Sequence, residues 1–111
     1  MPPSLPDIDE TAPATVQASA TNCDVVLTSW CAYGVGDNLL CKKNGTDVTL
    51  SFNSITTNWP HAYHRDKTWN VNLTALHLRA GDTLVWEFQC WATSGPNVNQ
   101  RVVEYQTTQV Q

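Results

Sequence analysis

Apolar residues recur at every second position along most of this chain, the period of half-buried β-strands rather than of helices. The sharpest case is Thr83 to Trp91, where Leu84, Trp86, Phe88 and Cys90 share one face and Val85, Glu87, Gln89 and Trp91 share the other. It follows Ala80-Gly81-Asp82, a sequence suited to a turn. Upstream, Trp69, Val71 and Leu73 alternate with Asn70, Asn72 and Thr74. The apolar phase then moves to Leu76 and Leu78, which predicts a bulge or bend near Ala75.

A hairpin is expected around Asn44-Gly45, because a type I′ turn needs positive φ at both central residues. Its register sets Lys43 against Thr46, Lys42 against Asp47, Cys41 against Val48 and Leu39 against Leu50. Leu39, Cys41, Val48, Leu50 and Phe52 then form the core face. Asp24–Ser29 and Trp30–Val35 are expected as strands separated by a tight bend. A last strand is expected over Arg101–Thr107 with Val103 and Tyr105 inward. No stretch of ten or more residues has helical periodicity. The expectation is an all-β chain: an antiparallel β-sandwich of seven or eight short strands, immunoglobulin-like or jelly-roll-like in architecture. The immunoglobulin signature itself is not met, since Phe88 stands where a Tyr would precede the second Cys and Trp30 lies too close to Cys23.

The first 22 residues depart from this pattern. They hold Pro2, Pro3, Pro6 and Pro13, the acids Asp7, Asp9 and Glu10, and no Lys, Arg, His or aromatic residue. Such a stretch cannot bury enough apolar surface to fold alone. The organisation expected is therefore an extended acidic, Pro-rich arm over 1–22 and a domain over 23–111. Leu5, Ile8 and Val16 are the arm's candidate contacts with a neighbouring surface.

The formal charge is −4, and charged residues make up 14% of the chain, against about 25% in typical domains. All six basic residues follow the arm and form no patch, so the footprint of nucleic-acid binding is missing. No apolar run reaches the roughly 18 residues that would span a bilayer. The N-terminus has neither the basic nor the apolar region of a secretory signal. Four cysteines in so short a chain suggest an oxidising location, extracellular or at a virion surface. Two pairings follow from the expected faces, Cys41 with Cys90 across the core and Cys23 with Cys31 locally. Four buried free thiols would satisfy the same pattern.

Candidate chemistry concentrates in Ser54–Thr68, read as the longest irregular stretch. Trp59, His61, Tyr63, His64, Arg65 and Asp66 lie there, a set suited to a protein contact or to a sugar ring stacked on an aromatic face. Trp91, on the outer face of its strand, is a further candidate contact. His61 and His64 with Asp66 lack the converging third and fourth ligands of a metal site, and His77 offers only a distant third. No metal or other cofactor is expected. There is no nucleophile elbow, H-E-x-x-H or phosphate-cradling loop. A carboxylate pair such as Glu87 and Glu104 is no more than two strand residues in need of the right separation.

These features point to a non-enzymatic structural or assembly module that docks on a larger surface through its arm, such as a virion decoration or coat component. Its partners would be other protein subunits, in a homo-oligomer or a larger assembly. The alternative is a lectin-like β-sandwich that binds glycan through the Trp59/Tyr63 loop.

Overall fold

The computed structural model describes all 111 residues, and the chain is all-β. Its strands are β1 (Asp7–Thr11), β2 (Thr15–Val16), β3 (Asn22–Trp30), β4 (Val35–Lys43), β5 (Thr46–Val48), β6 (Phe52–His61), β7 (His64–Asn72), β8 (Thr83–Ala92) and β9 (Arg101–Val110). They form a four-stranded sheet ordered β1-β3-β7-β6 and a five-stranded sheet ordered β2-β9-β8-β4-β5. Every pairing is antiparallel except the short parallel one between β2 and β9.

One core serves both sheets. Val25, Leu27, Trp69 and Val71 come from the four-stranded sheet, and Leu39, Cys41, Leu84, Trp86, Phe88 and Cys90 from the five-stranded one. The alternation of β8 places Leu84, Trp86, Phe88 and Cys90 completely inside, as its sequence pattern requires. The Asn44-Gly45 hairpin has the expected register, with Lys43 opposite Thr46, Lys42 opposite Asp47 and Cys41 opposite Val48. Both turn residues have positive φ, 52° and 82°. Asn44 also ties this turn to the start of β8: its amide donates to Asp82 at 2.8 Å and its carbonyl accepts from the Thr83 N–H at 2.9 Å. The phase change after Leu73 is a single 3-10 turn, Thr74–Leu76, that delivers Leu76 to the core.

Residues 1–22 are not an extended arm lying apart from the rest. β1 pairs with β3 and β2 with β9, so this stretch supplies one edge strand to each sheet. Ile8 and Val16 pack on the chain's own core, and Leu5 is half-buried beside them in sequence near the buried Pro6. Ile8 and Val16 are therefore turned to the chain's own core rather than to a neighbour. Pro3 and Ser4 are also held: the Ala32 N–H donates to the Pro3 carbonyl at 2.7 Å, and Asn97 donates to the Ser4 hydroxyl at 2.7 Å. Composition alone misjudged the segment, because hydrogen bonds to strands distant in sequence replace the apolar burial it lacks.

Two strand expectations need correction. The segment after Trp30 is no strand but a short connection, and β4 begins only at Val35. β9 runs from Arg101 to Val110 with its phase inverted: Val103 and Tyr105 are exposed, while Thr108 and Val110 are buried. The cause is a polar inner face. The Trp86 indole donates to the Thr108 hydroxyl at 2.9 Å, and that hydroxyl donates to the Pro13 carbonyl. Gln106 reaches Glu10 of β1 at 3.4 Å.

The four cysteines are free thiols, and the register forbids the pairings expected from sequence. Cys23 lies near the start of β3 and Cys31 just beyond its end, about 26 Å apart for eight residues of extended chain. Cys41 faces Trp86 while Cys90 faces Asp37, an offset of four residues or about 13 Å along neighbouring strands. A disulfide needs Cα atoms within about 7 Å.

Candidate functional site

Ser54–Thr68 is not irregular. It is the hairpin of β6 and β7, closed by Ala62-Tyr63. A register shift between Asn58 and His61 accommodates Pro60, which has no N–H to give a ladder and sits on an edge strand for that reason.

The hairpin separates the candidate residues. Trp59 and Tyr63 are about half exposed. Tyr63 and Trp30 meet edge to face at 6.1 Å between ring centroids, and His64 lies 4.2 Å from Trp30 and 5.5 Å from His61. Trp30, His61, Tyr63 and His64 thus form one aromatic cluster at the hairpin's turn. Asp66 lies on the outer face of the sheet and accepts from the Thr28 hydroxyl at 2.7 Å. Arg65 points the other way. It is buried and paired with Asp37 of the facing sheet, so it is not a surface contact. Trp91 belongs to a different surface: it lies on the outer face of the five-stranded sheet, beneath Arg101 at 4.0 Å. Gly36 makes room for it, because a Cβ there would meet the indole at 2.4 Å.

The outer face of the four-stranded sheet continues from the aromatic cluster into a ladder of amides and hydroxyls. Asn70 donates to Asp24 at 2.9 Å and to Asn22 at 3.2 Å, and accepts from Asn53 at 2.8 Å. The outer face of the five-stranded sheet has a shallow hollow of about 250 Å³ lined by Leu40, Lys42, Asp47, Val85, Glu87 and Tyr105. Glu87 and Glu104 do not converge. Glu87 faces Tyr105 and Glu104 faces Phe88, so the two carboxylates leave opposite sides of the sheet. No group of three or more His, Cys, Asp or Glu side chains is gathered for a metal ion.

Four strand edges are free to pair with another chain, and they differ sharply. β2 has two residues and β5 three. β1 has five, alternates Asp7 and Asp9 outward, and turns Glu10 inward. Short strands, edge acids and an inward charge are devices that discourage edge pairing. β6 is ten residues long with no Lys, Arg, Asp or Glu, and every residue after Phe52 is exposed. Ile55, which shares a face with the buried Trp69, is half exposed. The edge of β6 and the part played by Trp30 were not apparent from sequence. The signal available was the uncharged Phe-Asn-Ser-Ile-Thr-Thr-Asn run of strand-favouring and small polar residues.

No protein-family model matches the chain, and no curated protein is significantly similar to it.

Proposed function

We propose that the chain is a non-enzymatic assembly module, a β-sandwich whose two sheets enclose the shared core and which joins a second copy of itself through the open edge of β6. A coat or virion-surface component of an extracellular particle is the setting that suits such a module. The observation that supports this role is the contrast between β6, ten uncharged residues of which nine are exposed, and three edges that are short or acid-guarded. A second copy is the occupant the chemistry favours. An antiparallel β6–β6 pair is two-fold symmetric, brings no like charges together over Phe52–His61, and covers Ile55 and Trp59 on both subunits.

The test is the mass in solution of the full chain and of Thr56→Lys, by light scattering across a concentration series. The substitution places a charge at an exposed position of the strand, so the fold tolerates it. A concentration-dependent dimer that Thr56→Lys converts to monomer, with the melting temperature unchanged, is the expected result. A chain that stays monomeric at every concentration would exclude self-association through β6.

Glycan binding is the second role, favoured by the aromatic cluster beside the amide ladder. The surface that suits it is Trp30, Tyr63 and His64 rather than Trp59, because a sugar stacked there would also reach Asn and Thr side chains of β3 and β7. Titration of sugars against tryptophan emission, repeated with Trp30→Ala, tests it: a sugar response that survives the substitution would remove this surface.

A further inference from the structure

We infer that the four thiols, free in this structure, oxidise to two cross-links between the sheets, Cys23 to Cys41 and Cys31 to Cys90, one at each end of the core. All four cysteines belong to the inner faces. Cys23 is in phase with the buried Val25 and Leu27 of β3, and Cys31 is buried just beyond that strand. Cys41 and Cys90 continue the buried faces of β4 and β8.

Register then sorts them by end. Cys23 pairs with Val71, next to Asn72 and Leu73, and the Leu73 N–H donates to Thr21. The same end holds the last turn of β4: Lys43, two residues beyond Cys41, donates to the Leu76 carbonyl at 2.8 Å. At the other end Cys90 faces Asp37, which holds Arg65, and Arg65 faces Ser29, two residues before Cys31. Cys31 is therefore brought to Cys90 and kept about 26 Å of strand from Cys23. Four cysteines allow three connectivities. The pairing of Cys23 with Cys31 fails because the length of β3 separates them, and that of Cys23 with Cys90 because they mark opposite ends. Of the fully paired sets, the one that joins cysteines at the same end remains, Cys23 to Cys41 and Cys31 to Cys90.

Two of the thiols also sense a cysteine neighbour in these same pairs. Burial, and then Cys23, push Cys41 up to about 12. Burial pushes Cys90 up to about 11, with Cys31 among the neighbours that raise it. Such thiols are almost wholly protonated at neutral pH and poor nucleophiles once the chain is folded. Oxidation therefore belongs to the folding chain. With a small-molecule disulfide such as oxidised glutathione as oxidant, one cysteine thiolate displaces a glutathione thiolate to form a mixed disulfide. The second thiolate then attacks the protein sulfur and releases another. Each cross-link thus consumes one oxidised glutathione, yields two reduced molecules, and removes two hydrogens from the chain.

The experiment is refolding of the reduced, denatured full chain in a glutathione redox buffer, followed by mass measurement and mapping after chymotryptic cleavage, which separates Cys23, Cys31 and Cys41 at Trp30 and Leu40. A loss of about 4 Da with Cys23–Cys41 and Cys31–Cys90 peptides is the expected result, and the oxidised chain should unfold at higher denaturant than the reduced one. Any other connectivity, or recovery of four thiols, overturns the inference. Cys41→Ala provides an independent check, since Cys31–Cys90 should still form while Cys23 alone is alkylated on denaturation. A Cys23 cross-linked to another cysteine in that variant would equally overturn it.

Discussion

Asp37 of β4 accepts the guanidinium of Arg65 from the opposite sheet, at 2.5 Å and with both side chains less than a tenth exposed. Lys67 completes the group at 2.7 Å. A buried ion pair adds little net stability when intact, but removing one partner strands the other. Asp37→Asn keeps the shape and deletes the charge, leaving two cations facing the core. Its unfolding free energy should fall by about 3 kcal/mol in chemical denaturation. A loss below about 1 kcal/mol would show that water reaches Arg65 readily.

The hydroxyl of Thr108 joins three parts of the chain, because it accepts from Trp86 and donates to the Pro13 carbonyl. Thr108→Val removes both bonds with little change in volume and should cost about 2 kcal/mol, whereas Thr108→Ser should cost less. Hydrogen exchange should accelerate at Gln111, whose N–H donates to Val16 across the β2–β9 pairing. Unchanged exchange there would mean that β2 holds without this anchor.

Glu10 gives the fold a pH dependence with a defined sign. Burial, reinforced by Glu104 and Asp9 and opposed by the hydrogen bond from Gln106, holds its carboxyl above the ordinary glutamate range. The folded state therefore binds this proton more tightly than the unfolded state does. Its contribution is present below the unfolded value and lost as pH rises through the folded one. Glu10→Gln should melt higher than the natural chain at neutral pH, and the gap should close as the pH approaches the ordinary carboxylate range. A gap that is constant across the pH series would assign the effect to packing instead.

Deletion of residues 1–22 should unfold the chain rather than release it from a partner. The deletion removes β1 from one sheet and β2 from the other, and it uncovers Leu27, Thr108 and Val110. Loss of the near-ultraviolet circular dichroism of the buried Trp86 and Trp69 is the measurement. A native-like spectrum would show that residues 23–111 fold alone.

What could be read from sequence was whatever local chemistry decides. β8 was legible because one unbroken alternation runs through it, and the Asn44 turn because no other common pair adopts two positive φ angles so readily. β9 was misread for the opposite reason. Its buried face carries Gln106 and Thr108, whose partners Glu10 and Pro13 lie almost the whole chain away. The β6–β7 hairpin has Ala62-Tyr63 at its turn and Pro60 in its edge, and neither is a strand or turn signal by itself. Arg65 was placed on the surface because nothing near it in sequence announces Asp37 as its partner. The cysteines failed alike: their faces were legible, but which ends they share depends on how the sheets stack.

The parallel pairing of Thr15 with Gln109 has a kinetic consequence. β9 sits inside its sheet, between β2 and β8, so the five-stranded sheet cannot grow strand by strand in the order of the chain. Its closure waits on a loop that encloses nearly every other residue, and that entropy is lost before the contact returns anything. The chain should therefore fold slowly for its size, on the order of milliseconds to seconds, with the junction of its two ends among the last parts to lock.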